Sequence, residues 1–101
     1  MQQIWIPKIG DADVLEMREA PEPVPSDDEV RVSVVASGVN FADLMARMGI
    51  YPDAPPLPTV VGYEVSGHID AVGANVADWA VGDRVVAMTR FGGYSSSVVV
   101  H

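Results

Sequence analysis

The chain contains no cysteine. It can therefore form no disulfide, no thiolate nucleophile and no cysteine-based zinc site, a composition that fits a reducing compartment and makes the cytoplasm the expected location. It is also poor in cations, with 6 Lys and Arg against 14 Asp and Glu and a formal net charge of -8. A phosphate backbone would be repelled over most of such a surface, so nucleic acid is not an expected partner. No apolar run approaches the ~20 residues of a membrane helix, and no basic segment leads into an apolar one at the start. A soluble protein without a membrane span is expected. A G-x-G-x-x-G sequence and an alternating strand and helix series are both missing, so the chain carries no dinucleotide cradle of its own. Only two histidines occur, His68 on the polar face of a predicted strand and His101 at the end, and neither qualifies as a metal ligand.

What is present suits one folded domain. At 101 residues, with 49% apolar and 20% charged residues, the chain can bury one core but not two. The acidic groups concentrate in Asp11, Asp13, Glu16, Glu19 and Glu22 and again in Asp27, Asp28 and Glu29, which reads as solvated turns and strand edges.

Period-two alternation predicts a strand over residues 2–6, limited by Pro7, and a second around Leu15 and Met17. Pro21, Pro23 and Pro25 then forbid regular pairing. Residues 29–36 are the clearest strand, with Val30, Val32 and Val34 on one face and Arg31 and Ser33 on the other, and it is expected at the centre of the core. Residues 40–48 form the one convincing helix: Asn40 caps it, Asp43 lies three residues on as in a capping box, and Gly49 stops it. Phe41, Leu44, Met45 and Met48 recur at helical spacing and are expected to face the core. Four prolines within residues 51–61 leave a stiff loop that can serve as a pocket wall. Residues 64–72 predict a strand with Gly67 marking a close approach; Gly82 and Asp83 turn into a strand over residues 84–88, and Gly92 and Gly93 precede a last strand over residues 94–100. Short strands joined by glycine and proline turns, with one short helix, predict a mainly β (α+β) fold, a partly open β-barrel or a sandwich more than a βαβ sheet, and the partly open barrel is the expectation carried forward.

Several stretches together are specific. Asn40-Phe-Ala-Asp-Leu, Arg47-Met-Gly-Ile-Tyr51, Pro58-Thr-Val-Val-Gly62-Tyr-Glu-Val-Ser-Gly67, Val72-Gly73 and Gly82-Asp83-Arg84-Val85 occur in order over nearly the whole chain. They resemble the medium-chain dehydrogenase/reductase superfamily, and within it the zinc-independent quinone oxidoreductases, zeta-crystallin-like and synaptic-vesicle-protein-like. The resemblance covers the GroES-like N-terminal half of such an enzyme. It implies that residues 1–101 are a GroES-like segment of an alcohol dehydrogenase-like oxidoreductase, with the nucleotide-binding Rossmann domain in the remainder of a parent chain. The end at His101, directly after Val98, Val99 and Val100, fits a segment of a longer polypeptide.

In zinc-dependent members a cysteine ligand stands where Asn40 aligns, and a histidine ligand where Tyr63 aligns. Neither an amide nor a neutral phenol replaces them well, and Asp43 and Glu64, which back the first ligands in the family, do not form a site alone. The resemblance therefore implies no zinc. Ala42 also replaces the hydroxyl residue that relays protons in the alcohol dehydrogenases, which argues against that route.

What the resemblance implies instead is reduction of a quinone or activated alkene by NADPH, bound mainly by the part not in this chain. Asn40 would lie beside the nicotinamide, Asp43 would hold the helix start, and Tyr51 and Tyr63 would close the pocket with apolar faces and hydroxyls. Arg47 and Glu64 are supporting residues, Glu64 being expected to pair with Arg47 or Arg84. No residue is singled out as catalytic. Each assignment has a structural competitor: Asn40 and Asp43 as helix caps, Tyr51 and Tyr63 as ordinary half-buried tyrosines. Two other classes of function stay open, a free-standing non-catalytic GroES-like module that associates through its edge strands, as a homo-oligomer or with another protein, and a zinc alcohol dehydrogenase with unusual ligands.

Overall fold

The order of elements follows from where the chain can and cannot pair its backbone. In the computed structural model, which describes residues 1–52 and 54–101, β1 (Gln2–Trp5) and β2 (Glu16–Glu19) pair antiparallel as a two-stranded sheet, with a 3-10 turn at Ala12–Val14 between them. After the proline segment come β3 (Val30–Ser37), α1 (Phe41–Met48), β4 (Glu64–Val72), β5 (Arg84–Met88) and β6 (Ser97–Val100). These four strands form an antiparallel sheet in the order β5-β4-β3-β6.

β3 is interior on both edges, as its valine alternation predicts. Val32 is fully buried, and with Val30, Val65, Ile69 and Val98 it forms the main core. Each such side chain contributes on the order of 1.5–3 kcal/mol through removal from water. The alternation does not run the length of the strand. The register against β4 shifts between Arg31 and Val32 and again between Val34 and Ala36, and Val35, within the second bulge, is left 72% exposed.

A second core of Ile6, Ala46 and Val61, backed by Tyr51, Leu57 and Tyr94, joins the two sheets. Its backbone frame consists of isolated bridges from Gln3 to Ser95 and from Ile6 to Thr59. The Ile6 and Thr59 amides exchange hydrogen bonds at 2.8 and 3.1 Å. The sheets remain open and do not close into a barrel, so the partial openness expected of this mainly β fold takes the form of two bridged sheets and one helix. The proline-rich loop over residues 51–61 includes residue 53, which lies outside the described residues.

Two local expectations change. The last strand begins at Ser97, not residue 94, because Tyr94 and Ser95 pair with Val61 and with β1, and Ser96 is shared between Gln2 of β1 and the Val34 amide of β3. The helix also turns a different face inward. Asp43 and Ala46 are its buried residues, whereas Phe41 is 72% exposed and Met48 is exposed as well. Phe41 precedes Asp43 by two residues, about 200° around a helix, so anchoring Asp43 inside sends Phe41 outward.

Gly67 is where the close approach lies: a Cβ there would collide with the Ser33 carbonyl of β3. Gly67→Ala is expected to destabilise the fold by about 1–3 kcal/mol through that overpacking, read as a lower urea midpoint. A midpoint equal to that of the unsubstituted chain would show that β3 and β4 can separate without penalty.

Candidate functional site

The site is built at the start of α1. Asn40 has extended backbone (φ -110°, ψ 158°) and its N–H donates to Asp43 Oδ2 at 3.0 Å, the Asp43 arm of the capping box. The same oxygen accepts the Tyr94 hydroxyl at 2.8 Å. Asp43 is only 3% exposed, so these two donors carry a buried carboxylate. Asp43 Oδ1 and Arg47 Nε, one helical turn apart, are buried and have no hydrogen-bond partner among the described residues. Both residues line a cavity of about 500 Å³ between α1, β3 and the β1–β2 sheet, with walls from Ile4, Leu15, Val34 and Leu44.

Burial pushes the Tyr94 phenol well above its ordinary range, and its hydrogen bond to the Asp43 carboxylate and that group's charge push it further; the charge of Arg47 opposes them. Tyr94 is thus held as a neutral donor.

A second cluster is aromatic. The Tyr51 and Tyr63 rings meet edge-on at 6.4 Å and 87°, and Phe91 joins Tyr63 at 5.6 Å and 55°. A backbone zipper between residues 60–63 and 89–94 makes this possible. The Thr89, Gly92, Gly93 and Tyr94 amides donate to the carbonyls of Tyr63, Val60, Gly62 and Val61 at 2.8, 3.1, 3.0 and 3.0 Å, and the Thr89 hydroxyl donates to the Gly62 carbonyl at 2.6 Å. Gly62 is required here: its φ is 116°, and a Cβ would lie 2.8 Å from the Tyr94 nitrogen.

The pocket residues expected from sequence therefore fall into two groups. Asp43 and Arg47 face the cavity, Tyr51 and Tyr63 meet each other edge-on outside its lining, and half-buried Asn40 heads the helix, bonded to Asp43. Glu64 does not pair with Arg47 or Arg84. Among the described residues the ion pairs are Arg18–Glu16, Arg31–Glu22 and Arg31–Asp70. Glu64 instead lays its side chain over Gly38, where a Cβ would meet its carboxylate, and its carbonyl accepts the Gly38 amide at 3.1 Å. Its position opposite the end of β3 is what prevents the pairing. Sequence reading missed Phe91 and Tyr94. Tyr94 reaches the site through its long-range bond to Val61, and Phe91 through the bonds of its neighbours Thr89 and Gly92 to Tyr63 and Val60; the only local signal was the Gly92-Gly93 pair between them.

Chemically, the arrangement offers tyrosine hydroxyls, an amide, aromatic faces and the Asp43 and Arg47 groups of the cavity. Among the described residues no three His, Cys, Asp or Glu side chains converge to hold a metal ion.

These features define a class. Residues 26–100 match the alcohol dehydrogenase GroES-like domain, and the chain belongs to that family, as the GroES-like domain of medium-chain dehydrogenase/reductase proteins of quinone-oxidoreductase type. Among its relatives, the synaptic vesicle membrane protein VAT-1 homolog of Rattus norvegicus is 44% identical over 86 residues, covering 85% of this chain and 21% of that protein. The quinone oxidoreductase of Pseudomonas aeruginosa is 42% identical over 95 residues, covering 93% of this chain and 29% of that one. In structure, the human VAT-1 homolog-like protein superposes with a TM-score of 0.92 at 33% identity over 99% of this chain and 32% of its own. The Escherichia coli quinone oxidoreductase complexed with NADPH gives 0.88 at 37% identity, over 99% of this chain and 31% of its own. The chain thus spans about a fifth to a third of the length of these relatives.

Tyr94 yields a pH prediction. The fold holds its proton more tightly than the unfolded chain does at the ordinary pKa of about 10, so its contribution is intact below that pH and is lost as pH rises toward the folded value. Tyr94→Phe is expected to cost about 1 kcal/mol at pH 7 and to flatten the loss of stability above pH ~10, measured by urea midpoints across the alkaline range. Parallel pH profiles for the two proteins would remove Tyr94 from the account.

Proposed function

We propose that the chain is the GroES-like part of a zinc-independent, NADPH-dependent quinone or enone reductase, in which it supplies the acceptor side of the hydride-transfer site and is inactive by itself. The carrying observation is the aromatic pair Tyr51 and Tyr63, met edge-on at 6.4 Å, in a chain whose helix start is headed by Asn40. Such a wall binds a flat carbonyl compound through ring faces and hydroxyls without a metal ion. Names of relatives support the reading: one is a quinone oxidoreductase, another a quinone oxidoreductase complexed with NADPH.

NADPH would supply a hydride when bound; the residues of this chain orient the acceptor and shield it from water. The phosphates of NADPH would fall to a nucleotide-binding domain elsewhere in the parent chain, since no glycine-rich phosphate cradle occurs in these residues. Asn40 is assigned beside the nicotinamide, Tyr51 and Tyr63 against the acceptor, and Asp43, Arg47 and Glu64 to supporting roles. The cysteine-free composition favours a cytoplasmic setting.

A second reading, association without catalysis, is favoured by the free edge of β5, where Val86 is 77% and Met88 74% exposed. The two readings separate in one set of measurements. The longest polypeptide encoded around these residues is expected to oxidise NADPH with a quinone, to contain zinc far below one atom per chain, and to lose all turnover when reduced to residues 1–101. A specific oligomer with neither NADPH affinity nor quinone reduction would favour the association module instead.

A further inference from the structure

The cavity between α1, β3 and the β1–β2 sheet presents two polar groups that hydride transfer leaves unused. Its volume of about 500 Å³ lies in the range of small-molecule pockets, and its walls are largely aliphatic, from Ile4, Leu15, Met17, Val34 and Leu44. Into this surface α1 brings Asp43 and Arg47, four positions apart and therefore on one face of the helix, where Cβ atoms are about 5–6 Å apart. Asp43 is only 3% exposed, and both of its donors, the Asn40 amide and the Tyr94 hydroxyl, go to Oδ2. Asp43 Oδ1 and Arg47 Nε are buried and have no hydrogen-bond partner among the described residues.

Opposite charges one helical turn apart commonly close on each other. These two do not: the ion pairs among the described residues involve other side chains. Asp43 is already fixed by the two donors to its other oxygen. A buried acceptor and a buried donor left unmade are both costly, and a ligand that supplies both partners at once recovers that cost.

The pair also dictates the charge of what it takes. A carboxylate would satisfy Arg47 and be repelled by Asp43, and an ammonium group would do the reverse. A neutral head with a donor and an acceptor on neighbouring atoms suits both, its N–H donating to Asp43 Oδ1 and its carbonyl accepting from Arg47 Nε. A primary carboxamide is such a group, and aliphatic walls suit an alkyl chain behind it.

We propose that this cavity binds aliphatic primary amides, with the carboxamide bridging Asp43 and Arg47 and the alkyl chain against Ile4, Leu15 and Val34. The site is separate from the Tyr51–Tyr63 pair, neither of which lines the cavity, and it asks nothing of NADPH or a quinone.

Titration of the 101-residue chain with hexanamide, hexanoate and hexylamine at pH 7, followed by the methyl NMR signals of Ile4, Leu15, Val34 and Leu44, tests it. Hexanamide is expected to bind about tenfold more tightly than the carboxylate or the ammonium ion, the size of one charge-assisted hydrogen bond. From butanamide to hexanamide, affinity should rise about threefold to fourfold per methylene, as for burial of one CH2. Arg47→Met keeps an apolar stem and should weaken hexanamide about tenfold while strengthening hexylammonium, for which Asp43 then stands unopposed. Leu44→Trp, which fills the cavity, should abolish binding of all three. Equal affinities for the three head groups in the unsubstituted chain overturn the proposal, and this comparison needs no variant. Methyl signals that no compound shifts overturn it too, and leave the Asp43–Arg47 gap to water. Amide binding that is present in the 101-residue chain and absent from the longest polypeptide encoded around it gives the cavity to another segment of the parent chain and likewise overturns the proposal.

Discussion

Tyr94 is the junction on which the site depends. Its hydroxyl donates to the buried Asp43 carboxylate, its amide to the Val61 carbonyl, and its own carbonyl accepts the Ile4 amide. One residue thereby ties α1, the segment before β4 and β1 to the turn after β5. The Asp43 end of this junction is a carboxylate almost wholly removed from water, a position that is costly unless donors converge on it. The helix cap supplies one donor and Tyr94 the other. Removing either leaves a charge that the surrounding apolar walls cannot solvate, so the inward face of α1 and the path of residues 89–94 hold each other in place.

That constraint explains why the helix disagrees with its own hydrophobic pattern. Phe41, Leu44, Met45 and Met48 form an apolar stripe, but an eight-residue helix is too short for that stripe to outweigh a capped and doubly bonded carboxylate. Asp43, Ala46 and Arg47 turn toward the protein, and Phe41 is displayed to solvent. The same device leaves polar atoms of Asp43 and Arg47 facing an apolar cavity, a combination common in binding sites and rare in a plain core.

The aromatic cluster follows from the backbone zipper between residues 60–63 and 89–94. Gly62 permits the approach, and the alternating amide and carbonyl bonds determine which rings meet. Family membership supplies the context: relatives of quinone-oxidoreductase type share this domain as a fraction of their length.

Much of the fold was legible in order of residues alone, because local physics dictates it. Valine alternation marked β3, glycine and proline marked the turns, β4 and β5 appeared where their period-two patterns placed them, and Asn40, Asp43 and Gly49 bounded the helix. The ordered motifs likewise named the family, since they record residues at positions and need no geometry. What the sequence could not determine was which distant groups satisfy one another. The arginine partner expected for Glu64 gave way to packing over Gly38, Phe41 turned to solvent, and Tyr94 and Phe91 reached the site from far along the chain beyond the segments they contact. Periodicity reports the face of a single element, whereas hydrogen bonds to a buried carboxylate and contacts between rings depend on where separate elements are brought together. Only the tertiary structure decides that.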